Sequence, residues 1–101
     1  MAKPRLDLNK LLNTLGASKV YFQPPETTKL IYPCIIYGIE GELPNYADNA
    51  RYISHTRYTV TVIDSNPDSE IWRKVLELPH TELETVFTTD QLYHWNITLY
   101  Y

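Results

Sequence analysis

The sequence predicts an α+β fold: an antiparallel β-sheet of four to five strands with two helices packed on one face, forming a single domain over residues 1–101. Three observations predict it. Four leucines, Leu8, Leu11, Leu12 and Leu15, recur at helical spacing. Apolar and polar residues alternate from Arg57 to Val62 and again from Leu92 to Tyr101, the two-residue period of a strand with one buried face. Between these strands, the stretch R-Y-T-V-T-V-I-D-S-N-P-D-S-E-I-W-R-K-V-L-E-L (57–78) changes from that period to a helical one. Strand connections of hairpin length favour antiparallel neighbours, and a helix with one apolar stripe needs an apolar sheet face to cover. A chain of this length supports one modest core rather than two.

The first helix is expected from about Leu6 to Leu15, with Pro4 just ahead of it and Gly16 as its stop, because glycine takes the left-handed conformation that closes a helix. Val20-Tyr21-Phe22 is a short extended piece, at most an edge strand, halted by Pro24-Pro25. A strand follows from about Cys34 to Ile39, with Pro33 at its start. The turn-rich stretch G-E-L-P-N-Y-A-D-N-A (41–50) then reads as a long loop. The strand from Arg51 to Asp64 buries Tyr58, Val60 and Val62. Asn66 fits an N-cap and Pro67 the first helical position, with Asp68 and Glu70 where the helix dipole favours negative charge. The second helix places Ile71, Val75 and Leu78 inward with Trp72 and Leu76 beside them, and Pro79 stops it. On this reading Trp72→Ala costs about 3–5 kcal/mol and Val60→Ala less. A hairpin completes the order: Leu83 to Thr88, a turn around Thr89-Asp90-Gln91, and Leu92 to Tyr101.

Composition narrows the function. With 44% apolar and 21% charged residues the chain is neither disordered nor low in complexity. Nine Tyr and two Trp suit sheet faces and surfaces that meet another protein; β-rich domains also use Tyr simply as a strand former. The net charge is −3 and no run of Lys or Arg exceeds two residues, so the basic footprint of a nucleic-acid binder is missing. M-A-K-P-R-L-D-L-N-K lacks the apolar segment of a signal peptide, and no window has the length of a membrane span. A soluble chain made in a cytoplasm is the expectation.

No catalytic, cofactor-binding or metal-binding residue is assigned. Cys34, the one cysteine, lies in P-C-I-I-Y and reads as a buried strand position. His55, His80 and His94 lack the spacing of a zinc site. Glu82, Glu84 and Asp90 surround the hairpin as a solvated face does. Gly16, Gly38 and Gly41 are too scattered to cradle a phosphate. The expectation is a protein that is not an enzyme.

The segments Y-P-C-I-I-Y, Y-A-D-N-A-R-Y, R-Y-T-V-T-V-I-D-S-N-P-D-S and D-Q-L-Y-H-W-N-I-T-L-Y-Y, across about Leu30 to Tyr101, resemble small proteins of the head-to-tail module of long-tailed bacteriophages. The chain looks most like the tail terminator, or tail completion (head–tail joining), group. The resemblance implies a structural virion protein, located in the tail or neck after assembly in the host cytoplasm. It implies self-association into a ring, commonly hexameric, on the last ring of the tail tube protein, with a surface for the head connector or head completion protein.

A ring needs heterologous contacts, one patch of each subunit on a different patch of the next. The candidates are the loop Gly41 to Tyr52 on one side and an exposed edge or the C-terminal strand on the other. Tyr46, Asp48, Asn49, Arg51 and Tyr52 are expected to carry the contact, with Arg57 as partner for a neighbour's acid. The plainer reading is that Asp48-Asn49 form a turn and the tyrosines cover the sheet. Another neck or minor capsid protein, or a small adapter that binds an extended peptide at a strand edge, is the alternative function.

Overall fold

The structure, a computed structural model, describes residues 4–44 and 54–101. It is the α+β fold expected, with elements α1 (Arg5–Leu12), β1 (Lys19–Phe22), β2 (Cys34–Pro44), β3 (Ser54–Asp64), α2 (Ile71–Leu76), β4 (Thr81–Thr89) and β5 (Leu92–Tyr100). The five strands form one sheet in the order β1-β2-β3-β5-β4.

One sheet face is continuous apolar surface because the register aligns the buried alternation of each strand. Ile35 opposes Val62 and Tyr37 opposes Val60; Val60 in turn opposes Ile97 and Val62 opposes Trp95. These six are buried in one core with Leu8, Leu12 and Leu15 from the first helical segment and Ile71 and Val75 from α2. Both helices therefore cover the same face. Over the β1–β2 side, the Tyr37 hydroxyl donates to Asn9 Oδ1 (2.7 Å) and accepts from Arg5 Nη1 (3.1 Å), and the Arg5 guanidinium lies 4.3 Å from the Phe22 ring centre. Over the other side, Trp72 of α2 stacks on Trp95 at 5.9 Å. Each fully buried aliphatic side chain contributes roughly 1.5–3 kcal/mol relative to exposure.

Four local expectations change. The sheet is mixed, since β1 pairs parallel with β2 (Val20 opposite Ile35, Phe22 opposite Tyr37) while the other pairs are antiparallel. Parallel neighbours need a crossover, and residues 23–33 supply it by passing over the face opposite the helices, where the Tyr21 hydroxyl accepts from the Ile31 N–H. The first helix ends at Leu12 rather than Leu15; turn bonds from Thr14 to Leu11 and from Leu15 to Leu12 carry the chain on to Gly16 at φ +99°. Asn66 does not cap α2, which starts at Ile71 with Glu70 ahead of it. Its Oδ1 instead accepts from the Asp68 N–H at 2.9 Å, an Asx turn that uses the same side-chain chemistry as a cap. Finally, Gly41–Pro44 is strand, not loop, and pairs with Ser54–Arg57.

The β4–β5 turn is tight. Only Asp90 and Gln91 separate the Thr89–Leu92 pair, and both have positive φ (52° and 63°), the geometry of a type I′ turn, whose second position favours glycine. Gln91→Gly relieves a left-handed non-glycine residue but increases unfolded-state freedom, so a net gain of about 0.5–1 kcal/mol is expected. Urea unfolding checks this: the midpoint rises while the slope of free energy on denaturant stays the same.

Candidate assembly surfaces

The β2–β3 hairpin outruns its neighbours. β1 pairs with β2 only over Cys34–Tyr37, and β5 pairs with β3 over Arg57–Asp64, with Tyr101 adding backbone bonds to Thr56. The last two rungs, Leu43–His55 and Pro44–Ser54, are bonded only across the hairpin itself among the described residues. The described molecule is correspondingly long, 49 × 25 × 22 Å. The hairpin makes one end of the sheet a projecting arm.

Five of the six predicted contact residues, Tyr46, Asp48, Asn49, Arg51 and Tyr52, lie outside the described residues, in the segment that joins Pro44 to Ser54. Arg57 is described. It is half-exposed on β3, and its Nε lies 3.8 Å from Glu40 Oε2 of the same chain. An exposed pair of that length contributes well under about 1 kcal/mol, so it leaves the guanidinium free to exchange its carboxylate for a neighbour's. Glu40 sits where the β2–β3 register shifts between Ile39 and Gly41, a bulge that places the acid beside the arginine.

The sheet's two edges differ. β1 is four residues long, whereas β4 has nine, with Glu84–Thr89 all exposed. Val86 is 51% and Phe87 41% exposed, and Phe87 stacks on His94 at 4.6 Å. Neither residue stands out in the sequence. Strict alternation would put Phe87 on the same face as Leu83, but the register shifts between Leu83 and Thr85. Glu84 is the extra residue and accepts from the Thr98 hydroxyl. The bulge moves Val86 opposite Trp95, on the helix side, and Phe87 opposite His94, on the open face. No glycine marks this bulge, so the sequence carried no signal for it.

The open sheet face is polar along its centre, where the Thr61 hydroxyl donates to Asn96 Oδ1 at 2.8 Å. Between it and the 23–33 crossover lies a cleft of about 420 Å³, bounded by Pro24, Pro25, Thr28, Leu30, Ile36 and Thr59 among others. Glu26 is the one carboxylate among its described lining residues. Gln23, at φ 42°, lies across β2 at this cleft, with its Oε1 accepting from the Ile39 N–H. A Cβ on Gly38 would come within 2.9 Å of Gln23 Cγ, so the crossover needs glycine there.

Cys34 and His94 are not among the residues that line this cleft. Cys34 is fully buried, and burial pushes its thiol up to about 11, so at neutral pH it is protonated and a poor nucleophile. His94 is engaged with Phe87 and approaches the Leu92 carbonyl at 3.2 Å. Among the described residues no three of His, Cys, Asp and Glu are grouped to hold a metal ion, and no helix is long and apolar enough to cross a membrane. The arrangement offers surfaces for contact: an arm, two strand edges and an open face with one shallow cleft. No family model, no curated protein sequence and no solved structure matches the chain.

Proposed function

We propose that the protein is a structural component of the head–tail interface of a long-tailed bacteriophage, a tail terminator or tail completion subunit. It caps the tail tube as a ring and offers the joining surface to the head connector. The observation that carries this reading is the presence of two unlike contact surfaces on one small subunit: the projecting β2–β3 hairpin and the exposed β4 edge. Two different patches on each copy are what a heterologous ring requires, whereas an isologous dimer needs one. The resemblance of the segments within Leu30 to Tyr101 supports the same assignment, and it supplies the hexameric ring, the tail tube protein and the head connector as partners.

In this role Tyr46, Asp48, Asn49, Arg51 and Tyr52 form the contact, and Arg57 exchanges Glu40 for an acid of the neighbour. Replacing Tyr46 and Arg51 together by Ala weakens assembly on tube ends and leaves the fold intact, because both positions are outside the two helices. Sedimentation with and without purified tubes, beside a thermal melt, checks this. A doubly substituted protein that caps tubes as the parent does contradicts the assignment.

A second reading, a small adapter that takes up an extended peptide, is favoured by the same free β4 edge, since strand addition needs an unpaired row of backbone groups. A monomer that binds extended peptides and ignores tube ends would select it.

A further inference from the structure

We infer that successive copies of this chain join edge to edge, the outer side of β4 pairing antiparallel with β1 of the next copy, so that the sheet continues from one subunit into its neighbour. This rests on the ring reading above and adds, beside the contact assigned to the β2–β3 arm, one between β4 and β1. The two edges match in length. The bulge at Glu84 leaves Thr85–Thr89 as the regular part of β4, against Lys19–Phe22 of β1.

They also match in phase. Thr56 and Tyr101 exchange backbone bonds, so along β5 the residues Leu99, Ile97 and Trp95 direct theirs to β3 and the alternate residues direct theirs to β4. Val86 opposes Trp95 and Thr88 opposes Tyr93; their N–H and C=O groups therefore point away from the sheet. On β1, the Gln23 N–H bonds to the Tyr37 carbonyl, which turns Gln23 and Tyr21 toward β2 and leaves Val20 and Phe22 pointing outward. The free pairs on both edges belong to residues of the helix-covered face: Val20 and Phe22 pack against the core, and Val86 opposes the buried Trp95. Setting Phe22 opposite Val86 and Val20 opposite Thr88 joins these groups and extends the apolar face without a break. It also sets Tyr21 beside the exposed Phe87.

Direction and charge agree. Within one chain β1 and β4 run oppositely, because one parallel and three antiparallel steps separate them. A rotation about an axis along the strands preserves direction, so β4 meets the next β1 as an antiparallel neighbour. In this register the exposed Lys19 approaches Asp90 at the hairpin end. Pairing β4 with a second β4 about Phe87 would instead set Glu84 opposite Asp90, a like-charge pair that is unfavourable.

Disulfide trapping tests the pairing. Lys19 and Thr89 are exposed and become a non-hydrogen-bonded pair in this register, with Cα atoms about 4.5 Å apart, within disulfide reach. Lys19→Cys and Thr89→Cys variants of the full chain, mixed under mild oxidation at a concentration where the parent assembles, are expected to cross-link about tenfold more than either variant alone. Thr88→Pro removes one outward donor and no β4–β5 bond, and is expected to weaken self-association by about tenfold with an unchanged unfolding midpoint. Rings in micrographs without a cross-link between positions 19 and 89 overturn the edge pairing alone. A Phe87→Cys variant that cross-links to itself also overturns it, since that is the twofold geometry. Closure is a separate readout, because the right-handed twist of a continued sheet must be offset by coiling for a ring to close. The doubly substituted chain oxidises to one closed species if the ring reading holds, whereas cross-linked open chains of growing length support the pairing and overturn the ring.

Discussion

Tyr37→Ala is expected to destabilise the fold by about 4 kcal/mol, and Tyr37→Phe by about 1 kcal/mol. Tyr37 is among the largest fully buried side chains. Its ring packs between Phe22 at 5.0 Å and Tyr58 at 5.9 Å, so removing it opens a cavity where β1, β2 and β3 meet under α1. Its hydroxyl adds a polar link between the first helix and the sheet, donating to Asn9 and accepting from Arg5. Phe keeps the packing and leaves two half-buried polar partners that water can reach, which is why the smaller loss is expected. The whole stability of a domain this size is about 5–15 kcal/mol, so the alanine variant stands near the threshold of folding. Urea titration of the three proteins checks the ratio. Equal losses for Phe and Ala would mean that the hydrogen bonds, not the packing, hold α1 in place.

Trp95→Ala is expected to cost about 4 kcal/mol and Trp72→Ala about 2 kcal/mol. The sequence alone reads Trp72 as a buried tryptophan whose loss costs about 3–5 kcal/mol, more than Val60. In the structure the more deeply buried tryptophan is Trp95, which is 4% exposed, opposes Val62 of β3 and Val86 of β4, and stacks with both Trp72 and Tyr93. Trp72 is half-buried, lying over Trp95 with the Arg73 guanidinium 5.1 Å from its own ring. Part of the site is already wet, so truncation leaves a smaller dry cavity. A double-mutant cycle separates the stacking from each ring's own burial, with a coupling of about 1 kcal/mol expected for the pair.

These two residues also show what was legible in the sequence. One-sided burial imposes a period, and that period placed Tyr58, Val60 and Val62 on the core face, as it did Trp95, Ile97 and Leu99. It fixed the sheet's composition and the side on which both helices lie. It could not reveal the direction of β1, which depends on where residues 23–33 travel rather than on any residue in β1. Asn66-Pro67-Asp68 fits a helix cap and an Asx turn equally well by type, and only the 2.9 Å bond to the Asp68 N–H distinguishes them. The β4 edge was hidden for another reason. An extra residue in a strand reverses which side chains face out, and Glu84 has no chemical mark of a bulge. Of the predicted contact residues, Arg57 reads from the sequence as an exposed cation and is one, but its nearby Glu40 comes from a register shift that composition does not encode.

All the functional conclusions depend on copies of the subunit meeting each other through unlike surfaces at the end of a tail tube. Imaging the head–tail junction of particles that carry this protein tests that most directly. The expected result is a closed ring of density between tube and connector into which copies of the five-stranded subunit fit, each with its β4 edge toward a neighbour. A junction complete in particles lacking the protein, or a chain that stays monomeric on purified tube ends, would contradict it.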